Sequence, residues 1–313
     1  MKERLIVLTG PTAVGKTAVS LLLAKKLDAE IVSADSMQVY RGMDIGTDKI
    51  TKERMGDIPH HLIDVLEPTE TFNVVRFQAL AKEAVRDINA RGKLPILIGG
   101  TGFYIRALLY DTDFTETDED TTLRSAMEEE VAAKGDAAKE ALHARLKELD
   151  PASAQMIPKE NVRRVIRALE FFEKTGSPIS EHNRRERAKA SPYDFRYFVL
   201  TDDRAVLYER INARVTEMFA RGLVEEVRAL REQGVTREMT SMQGLGYREV
   251  FRALEEGTDP FSVCEKVQQN TRHFAKRQLT WFRAEKDAEM TDKREFDRSD
   301  ERIAEELLCR ISQ

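Results

Sequence analysis

Apolar residues in the first third of the chain come in short continuous runs, separated by segments in which they recur every three or four positions. Leu5-Ile6-Val7-Leu8 is too short and too uniformly apolar for an amphipathic helix and gives way to Gly10, so residues 5–9 read as a buried strand. A helical pattern follows over 17–27, then a second strand over 30–33, closed by Ala34-Asp35-Ser36. The stretch holding Gly42, Gly46 and Gly56 is polar and irregular. Over 73–90, Val74, Phe77, Leu80, Ala81 and Val85 fall at helical spacing. Residues 94–98 form another apolar run, ended by Gly99-Gly100-Thr101-Gly102 ahead of a helix over 103–110. Strands alternating with helices predict a parallel sheet with right-handed crossovers. From Asp111 the pattern changes. Acidic residues cluster as far as Glu130, and helical segments follow one another without a strand until residues 195–200, where Tyr197-Phe198-Val199-Leu200 resumes the sheet. The remainder reads as mostly helical.

The chain has 313 residues, which suits one core domain plus a substantial insertion. Hydrophobic residues at 41% and charged residues at 34% describe a highly charged globular protein rather than a disordered one. A net charge of -5 argues against coating nucleic acid with the whole surface. It leaves room for a local basic face, because affinity follows the charges near the phosphates. No run reaches the length of a membrane span, and Met1 leads almost directly into the first strand. No membrane association and a cytoplasmic location are therefore expected. Cys264 and Cys309 stand far apart without metal-like spacing, so neither a disulfide framework nor a zinc site is expected.

Gly10-Pro11-Thr12-Ala13-Val14-Gly15-Lys16-Thr17 fits G-x-x-x-x-G-K-S/T without a mismatch, after a strand and at the start of a helix, as the P-loop motif requires. Its backbone N–H groups point at phosphate oxygens, Lys16 adds a point charge, and Thr17 is placed to hold a magnesium ion. The predicted fold is thus α/β, a P-loop NTPase-like parallel-sheet core from residues 1–112 and 195–313, interrupted by an all-helical insertion over 113–194. Nucleotide binding, ATP included, is the ordinary use of such a loop, but the motif does not say which phosphates it holds. The strand over 94–98 ends in glycines and Thr101 rather than in the magnesium-binding aspartate of a motor or GTPase. The nearest strand-end carboxylate is Asp35. Strand ends of a parallel sheet converge on the ligand crevice, so Gly15, Asp35 and Thr101 face one pocket on this reading. Asp35 is equally an ordinary turn or helix cap.

The run from Ile31 to Thr47, which includes Asp35-Ser36-Met37-Gln38, resembles that of bacterial tRNA dimethylallyltransferases. So do Pro59-His60-His61-Leu62-Ile63-Asp64, Gly99-Gly100-Thr101-Gly102, Arg163-Arg164-Val165-Ile166-Arg167-Ala168-Leu169-Glu170, Met242-Gln243-Gly244-Leu245-Gly246-Tyr247, and the segment from Thr271 to Arg283. These blocks keep the family order and span nearly the whole chain. The resemblance implies transfer of a dimethylallyl group from dimethylallyl diphosphate to the exocyclic amine of the adenine 3′ of the anticodon, in tRNAs reading codons that begin with U. It implies that Gly10 to Thr17 hold the donor diphosphate and that Asp35 is the catalytic base, with Thr101 beside it. It also implies that Asp35, Ser36, Met37 and Gln38 line the adenine pocket. Thr101, Arg124, Gln243 and the helix bearing Arg163, Arg164 and Arg167 would touch the tRNA. Arg163-Arg164 stands where many members carry Gln-Arg.

Arg204, Arg210 and Arg214 form a pool for a second diphosphate clamp, with Arg214 the favoured member. On the late helix Arg272, Lys276 and Arg283 share one stripe; this is either a solvated face or, given a polyanionic substrate, a tRNA contact by Arg272 and Lys276. The segment from Asn183 to Lys189 admits the same two readings. His60 and His61 lack the partners a metal site needs. The expected partners are tRNA and dimethylallyl diphosphate, the expected cofactor Mg2+, and a monomer the expected state. Two rival activities share the motif. A small-molecule kinase would consume ATP and have no use for a large basic insertion, and an adenylate isopentenyltransferase would lack most of that insertion.

Overall fold

Strand β1 (Glu3–Thr9) has every side chain from Leu5 onward buried, and it leads into α1 (Lys16–Leu27) through the glycine-rich loop. β2 (Ala29–Ser33) is buried throughout and is followed by α2 (Lys52–Met55), β3 (His60–His61), α3 (Val74–Ala90), β4 (Leu94–Gly99) and α4 (Gly102–Leu109). In this computed structural model, which describes residues 2–114 and 122–312, the chain divides into two compact units. The first comprises Met1–Leu109 and Pro192–Gln313, the second Tyr110–Ser191.

The second unit is helical: α5 (Thr122–Lys134), α6 (Asp136–Leu149), α7 (Pro151–Met156), α8 (Val162–Thr175) and α9 (Ile179–Ala188). Part of the acidic cluster noted in the sequence falls on 115–121, outside the described residues. Met127, Leu142, Leu146, Val165, Ile166 and Leu169 form this unit's own core. At its centre the buried Asp150 carboxylate accepts hydrogen bonds from the backbone and hydroxyl groups of both Ser153 and Ser180, tying the start of α7 to α9.

The first unit resumes with β5 (Tyr193–Thr201), α10 (Arg204–Ala220), α11 (Leu223–Glu232), α12 (Tyr247–Glu256), α13 (Cys264–Arg283), β6 (Glu289–Asp292) and α14 (Asp300–Ile311). Its sheet is parallel throughout, in the order β3-β2-β4-β1-β5-β6. Ile6, Leu8, Val19, Leu23, Ile31, Ile96, Phe198 and Leu200 meet Leu207 of α10 and Ile303 and Leu307 of α14 in a single core. The sequence indicated four of the six strands. β3 has only two residues, and β6 reads Glu-Met-Thr-Asp with Thr291 alone buried, so neither edge strand carries an apolar run. After β1 the chain crosses β4 to reach β2, then returns, and β5 lies on the opposite side of β1. That reversal opens a crevice at the C-terminal ends of β1, β2 and β4.

Candidate active site at the strand ends

The loop after β1 is shaped by contacts that only glycine permits. A Cβ on Gly10 would lie 2.4 Å from the Leu200 carbonyl oxygen, and Gly15 enters α1 with φ +97°. The loop wraps the Lys16 side chain, whose ammonium donates to the carbonyls of Gly10 at 3.0 Å and Pro11 at 2.9 Å. Burial, reinforced by the positive charge of Arg214 and opposed by Asp35, brings the Lys16 pKa down to about 8. Its proton is therefore held less firmly than on a solvated lysine, and an anion in the loop would tighten it.

A cavity of about 840 Å³ opens over this loop, lined by Thr12, Ala13, Gly15, Lys16 and Thr17 together with Asp35, Ser36, Met37, Gln38 and Thr101. The structure thus brings most residues read from the P-loop and strand ends to one wall system. Gly10, Pro11 and Val14 of the loop do not line the cavity, and Val14 is fully buried in the core. Asp35 both caps its turn and lines the cavity. Its Oδ1 accepts from the backbone N–H groups of Met37 at 2.8 Å and Gln38 at 3.3 Å, a turn cap. Its Oδ2 takes no protein hydrogen bond among the described residues and belongs to a side chain lining the cavity. Gln38 donates from Nε2 to the Thr47 carbonyl at 3.1 Å, which fixes the far side of this turn. The Thr17 and Thr101 hydroxyls likewise line the cavity without a protein partner among the described residues. No group of three or more His, Cys, Asp or Glu side chains able to hold a metal occurs among the described residues. A hard cation here would need oxygens from a ligand beside Thr17, the usual arrangement for magnesium on phosphates.

Of the three arginines on α10, the structure separates the roles. Arg214 lines the cavity, donating to the Thr12 hydroxyl in the loop and, at 3.2 Å, to Asp48. Arg210 also reaches the wall, held at 3.1 Å by Asp202, whose side chain is wholly buried. Arg204 turns away and lies over the Tyr208 ring.

A residue the sequence reading did not single out bridges the site. Gln278 of α13 accepts from the Thr12 N–H at 2.9 Å and donates to the Gly100 carbonyl at 2.9 Å. A Cβ on Gly100 would come within 2.2 Å of this amide, so the second glycine of Gly99-Gly100-Thr101-Gly102 makes room for Gln278. Phe274 and Arg277 share the cavity face of α13, the guanidinium 5.8 Å from the ring centroid. Arg272 and Lys276 do not line the cavity: Arg272 bonds Asn212 of α10, and Lys276 is exposed. Gln243 sits on the rim, exposed, and donates to the Arg237 carbonyl. His60 reaches the wall beside the Ile58 carbonyl, whereas His61 meets the buried Glu30 carboxylate. Hydrogen bonds from Arg91 above all hold that carboxyl down at about 2, so His61 serves the sheet edge while His60 faces the cavity.

In the helical unit the four predicted arginines fall into two pairs. Arg163 and Arg164 stand exposed on α8 without an ion pair among the described residues. Arg124 at 2.7 Å and Arg167 at 3.2 Å converge on Glu170, only 2% exposed, with Lys174 at 3.5 Å. Burial alone would raise the Glu170 pKa, but the hydrogen bonds and charges of Arg124 and Arg167 outweigh it and hold the carboxyl below its usual range.

The chain is similar to proteins of known class. A family model described as IPP transferase matches residues 38–285, and a second, described as isopentenyl transferase, matches residues 3–65. The tRNA dimethylallyltransferase of Lachnoclostridium phytofermentans is 52% identical over 306 residues, covering 98% of this chain and 96% of that protein. That of Geobacillus thermodenitrificans is 48% identical over 299 residues, covering 95% and 93%. Among solved structures, the full-length tRNA isopentenylpyrophosphate transferase of Bacillus halodurans superposes with a TM-score of 0.73 at 41% identity, over 99% of this chain and 97% of that one. A eukaryotic dimethylallyltransferase acting on tRNA gives 0.77 at 28% identity, over 93% and 74%. With a phosphate cradle, a strand-end carboxylate and a match across nearly its full length, the chain belongs to the IPP transferase family.

Proposed function

We propose that the chain transfers a dimethylallyl group from dimethylallyl diphosphate to N6 of the adenine 3′ of the anticodon, in tRNAs reading codons that begin with U, releasing diphosphate. The observation that carries this reading is one cavity holding both a complete phosphate cradle and a carboxylate with an unengaged oxygen, Asp35. The adenine amine is a weak nucleophile because its lone pair is conjugated into the ring. The donor compensates: as its C–O bond breaks, the allylic carbon carries delocalised positive charge and the electron pair leaves with diphosphate. The loop amides, Lys16 and Arg214 stabilise that growing negative charge. The new C–N bond makes the N6 proton acidic, and Asp35 Oδ2 accepts it. Thr101, beside Asp35, orients the amine. Magnesium held by the Thr17 hydroxyl and diphosphate oxygens would supply further charge neutralisation when bound.

Adenine within an anticodon loop reaches such a cavity only when splayed from its stack. Asp35, Ser36, Met37 and Gln38 inspect the base, and Gln243 lies at the rim. Arg163, Arg164 and Lys276 are the exposed cations suited to the tRNA backbone, with Arg124, Arg167 and Arg272 in their helices. The protein works as a cytoplasmic monomer on this reading; no helix among the described residues is long and apolar enough to cross a membrane. Incubation with labelled dimethylallyl diphosphate, total tRNA and free AMP, followed by mapping of the label, tests it. Label on the adenine 3′ of the anticodon is expected. Label on AMP instead, or ATP consumption without prenyl transfer, overturns it.

A further inference from the structure

Glu226, in the first turn of α11, lies outside the cavity wall, yet its carboxylate gathers four donors. Oε2 accepts from the backbone N–H groups of Asp44 at 3.0 Å and Ile45 at 2.8 Å; Oε1 accepts from Gly46 N–H at 3.2 Å and from the Tyr247 hydroxyl. Three successive amides aimed at one carboxylate form a backbone nest. Only an acceptor with no hydrogen of its own satisfies all four donors. Gly46 lies against the Tyr247 ring, so close that a Cβ would fall 2.5 Å from it, and Tyr247 is fully buried. The nest is therefore fixed from both sides.

The two residues that follow reach the site. The Thr47 carbonyl receives Gln38, and Asp48, in the left-handed region at φ +50°, receives Arg214, which in turn bonds Thr12 of the phosphate loop. That conformation is uncommon for a residue with a side chain, and aspartate is among the few that adopt it readily. Resting on the reading of this loop as the donor site, we propose that Glu226 is a positioning residue for the donor: by clamping residues 44–46 it sets where Asp48 holds the Arg214 guanidinium over the diphosphate.

Glu226→Gln keeps size and shape but turns an amide NH2 toward donors. The KM for dimethylallyl diphosphate and the Kd for pyrophosphate are expected to rise about tenfold, the scale of one charge-assisted hydrogen bond to a ligand. Turnover at saturating donor should change less than about threefold, because the clamp acts on binding. A residue that merely stabilised the fold would lower the melting temperature and leave both donor constants alone. Asp48→Asn, cutting the relay at its other end, is expected to reproduce the donor defect, and the double variant to be no worse than the stronger single. Unchanged donor constants in Glu226→Gln, or defects that multiply in the double variant, overturn the proposal while leaving the donor site standing. Wild-type protein that binds no pyrophosphate overturns both. Should Glu226→Gln fail to fold, Tyr247→Phe removes one of the four donors; a raised donor KM supports the clamp and an unchanged one refutes it.

Discussion

Replacing Gln278 with alanine removes a single side chain that spans the phosphate loop, the glycine turn after β4 and helix α13. Two hydrogen bonds of 2.9 Å disappear, and the Thr12 N–H and Gly100 carbonyl lose their partners. Gln278 itself is 6% exposed, but the groups it serves border the open cavity, where water can restore part of the loss. Each bond contributes about 1 kcal/mol net, and an orphaned buried group costs about 1–3 kcal/mol, so a destabilisation of about 2–4 kcal/mol is expected. In a chain of 313 residues, at about 2.1 cal/mol/K of unfolding entropy per residue, that corresponds to a fall in Tm of roughly 3–6 °C. The catalytic consequence should be larger than stability alone implies, because the freed Thr12 belongs to the loop we propose as the holder of the leaving group. A shift of the loop that misplaces one of its phosphate donors would cost about a hundredfold. Differential scanning fluorimetry gives the first quantity, and steady-state transfer of labelled dimethylallyl groups to tRNA gives the second. Gln278→Glu sharpens the test: it keeps the acceptor for Thr12, but places a carboxylate against the Gly100 carbonyl and beside the diphosphate. It should be at least as defective toward the donor as the alanine variant. A Gln278→Ala protein with native Tm and native donor KM would show that α13 merely rests against the loop.

Three further outcomes follow from the site. Asp35→Asn retains an Oδ1 acceptor for Met37 and Gln38, so turnover should fall about a hundredfold or more with little change in Tm or tRNA binding, and near-normal turnover would remove Asp35 as the base. Lys16, lowered to about 8 in the free protein, should lose its charge as pH rises through that value, so donor KM should climb between about pH 7 and 9. Lys16→Arg, where it still binds donor, should flatten the profile; an identical rise in both proteins would assign the pH effect elsewhere. The same shift carries a stability sign: between about 8 and 10.5 the unfolded chain binds more protons than the folded one, so Lys16 makes the free protein more stable as pH rises through that window. The Arg163→Ala/Arg164→Ala variant should weaken tRNA binding and lower the salt slope by about 0.7–0.9 per lost phosphate contact, at unchanged Tm. Arg167→Ala should lower Tm as well, because it strips a partner from buried Glu170; an unchanged slope in the double variant would leave α8 a solvated surface.

The phosphate loop was legible because its parts are contiguous: strand, glycines, lysine and helix start occupy one stretch, and each has a local reason to be there. Asp35 and Thr101 were legible one level up, since strand ends in a parallel sheet meet. Gln278, Asp48 and Glu226 were not, because each acquires its partner only when α10, α11 or α13 closes over the sheet. A glutamine on a helix looks the same to its neighbours in sequence whether it faces water or Thr12. Periodicity showed that Arg272 and Lys276 share a stripe, but which stripe faces the cavity is decided by packing between α10 and α13. Arg124 and Arg167 read as tRNA contacts in the sequence, and only the fold shows that both also pair with the buried Glu170. β6 escaped notice for the complementary reason: an edge strand with one buried side chain has no hydrophobic signature.

The order of strands across the sheet also bears on how the protein comes into being. β1 carries the phosphate loop and leaves the ribosome before the helical unit, yet its neighbour β5 is synthesised only after the whole of that unit, with Glu3 registered against Tyr193. The helical unit holds a core of its own, drawn from nearby segments, and can form while β1 still waits for half of its ladder. The cavity over the phosphate loop is therefore among the last features to mature, and a chain cut short before β5 leaves the apolar edge of β1 unpaired. Such a fragment presents an open parallel strand edge, the template on which misassembly begins.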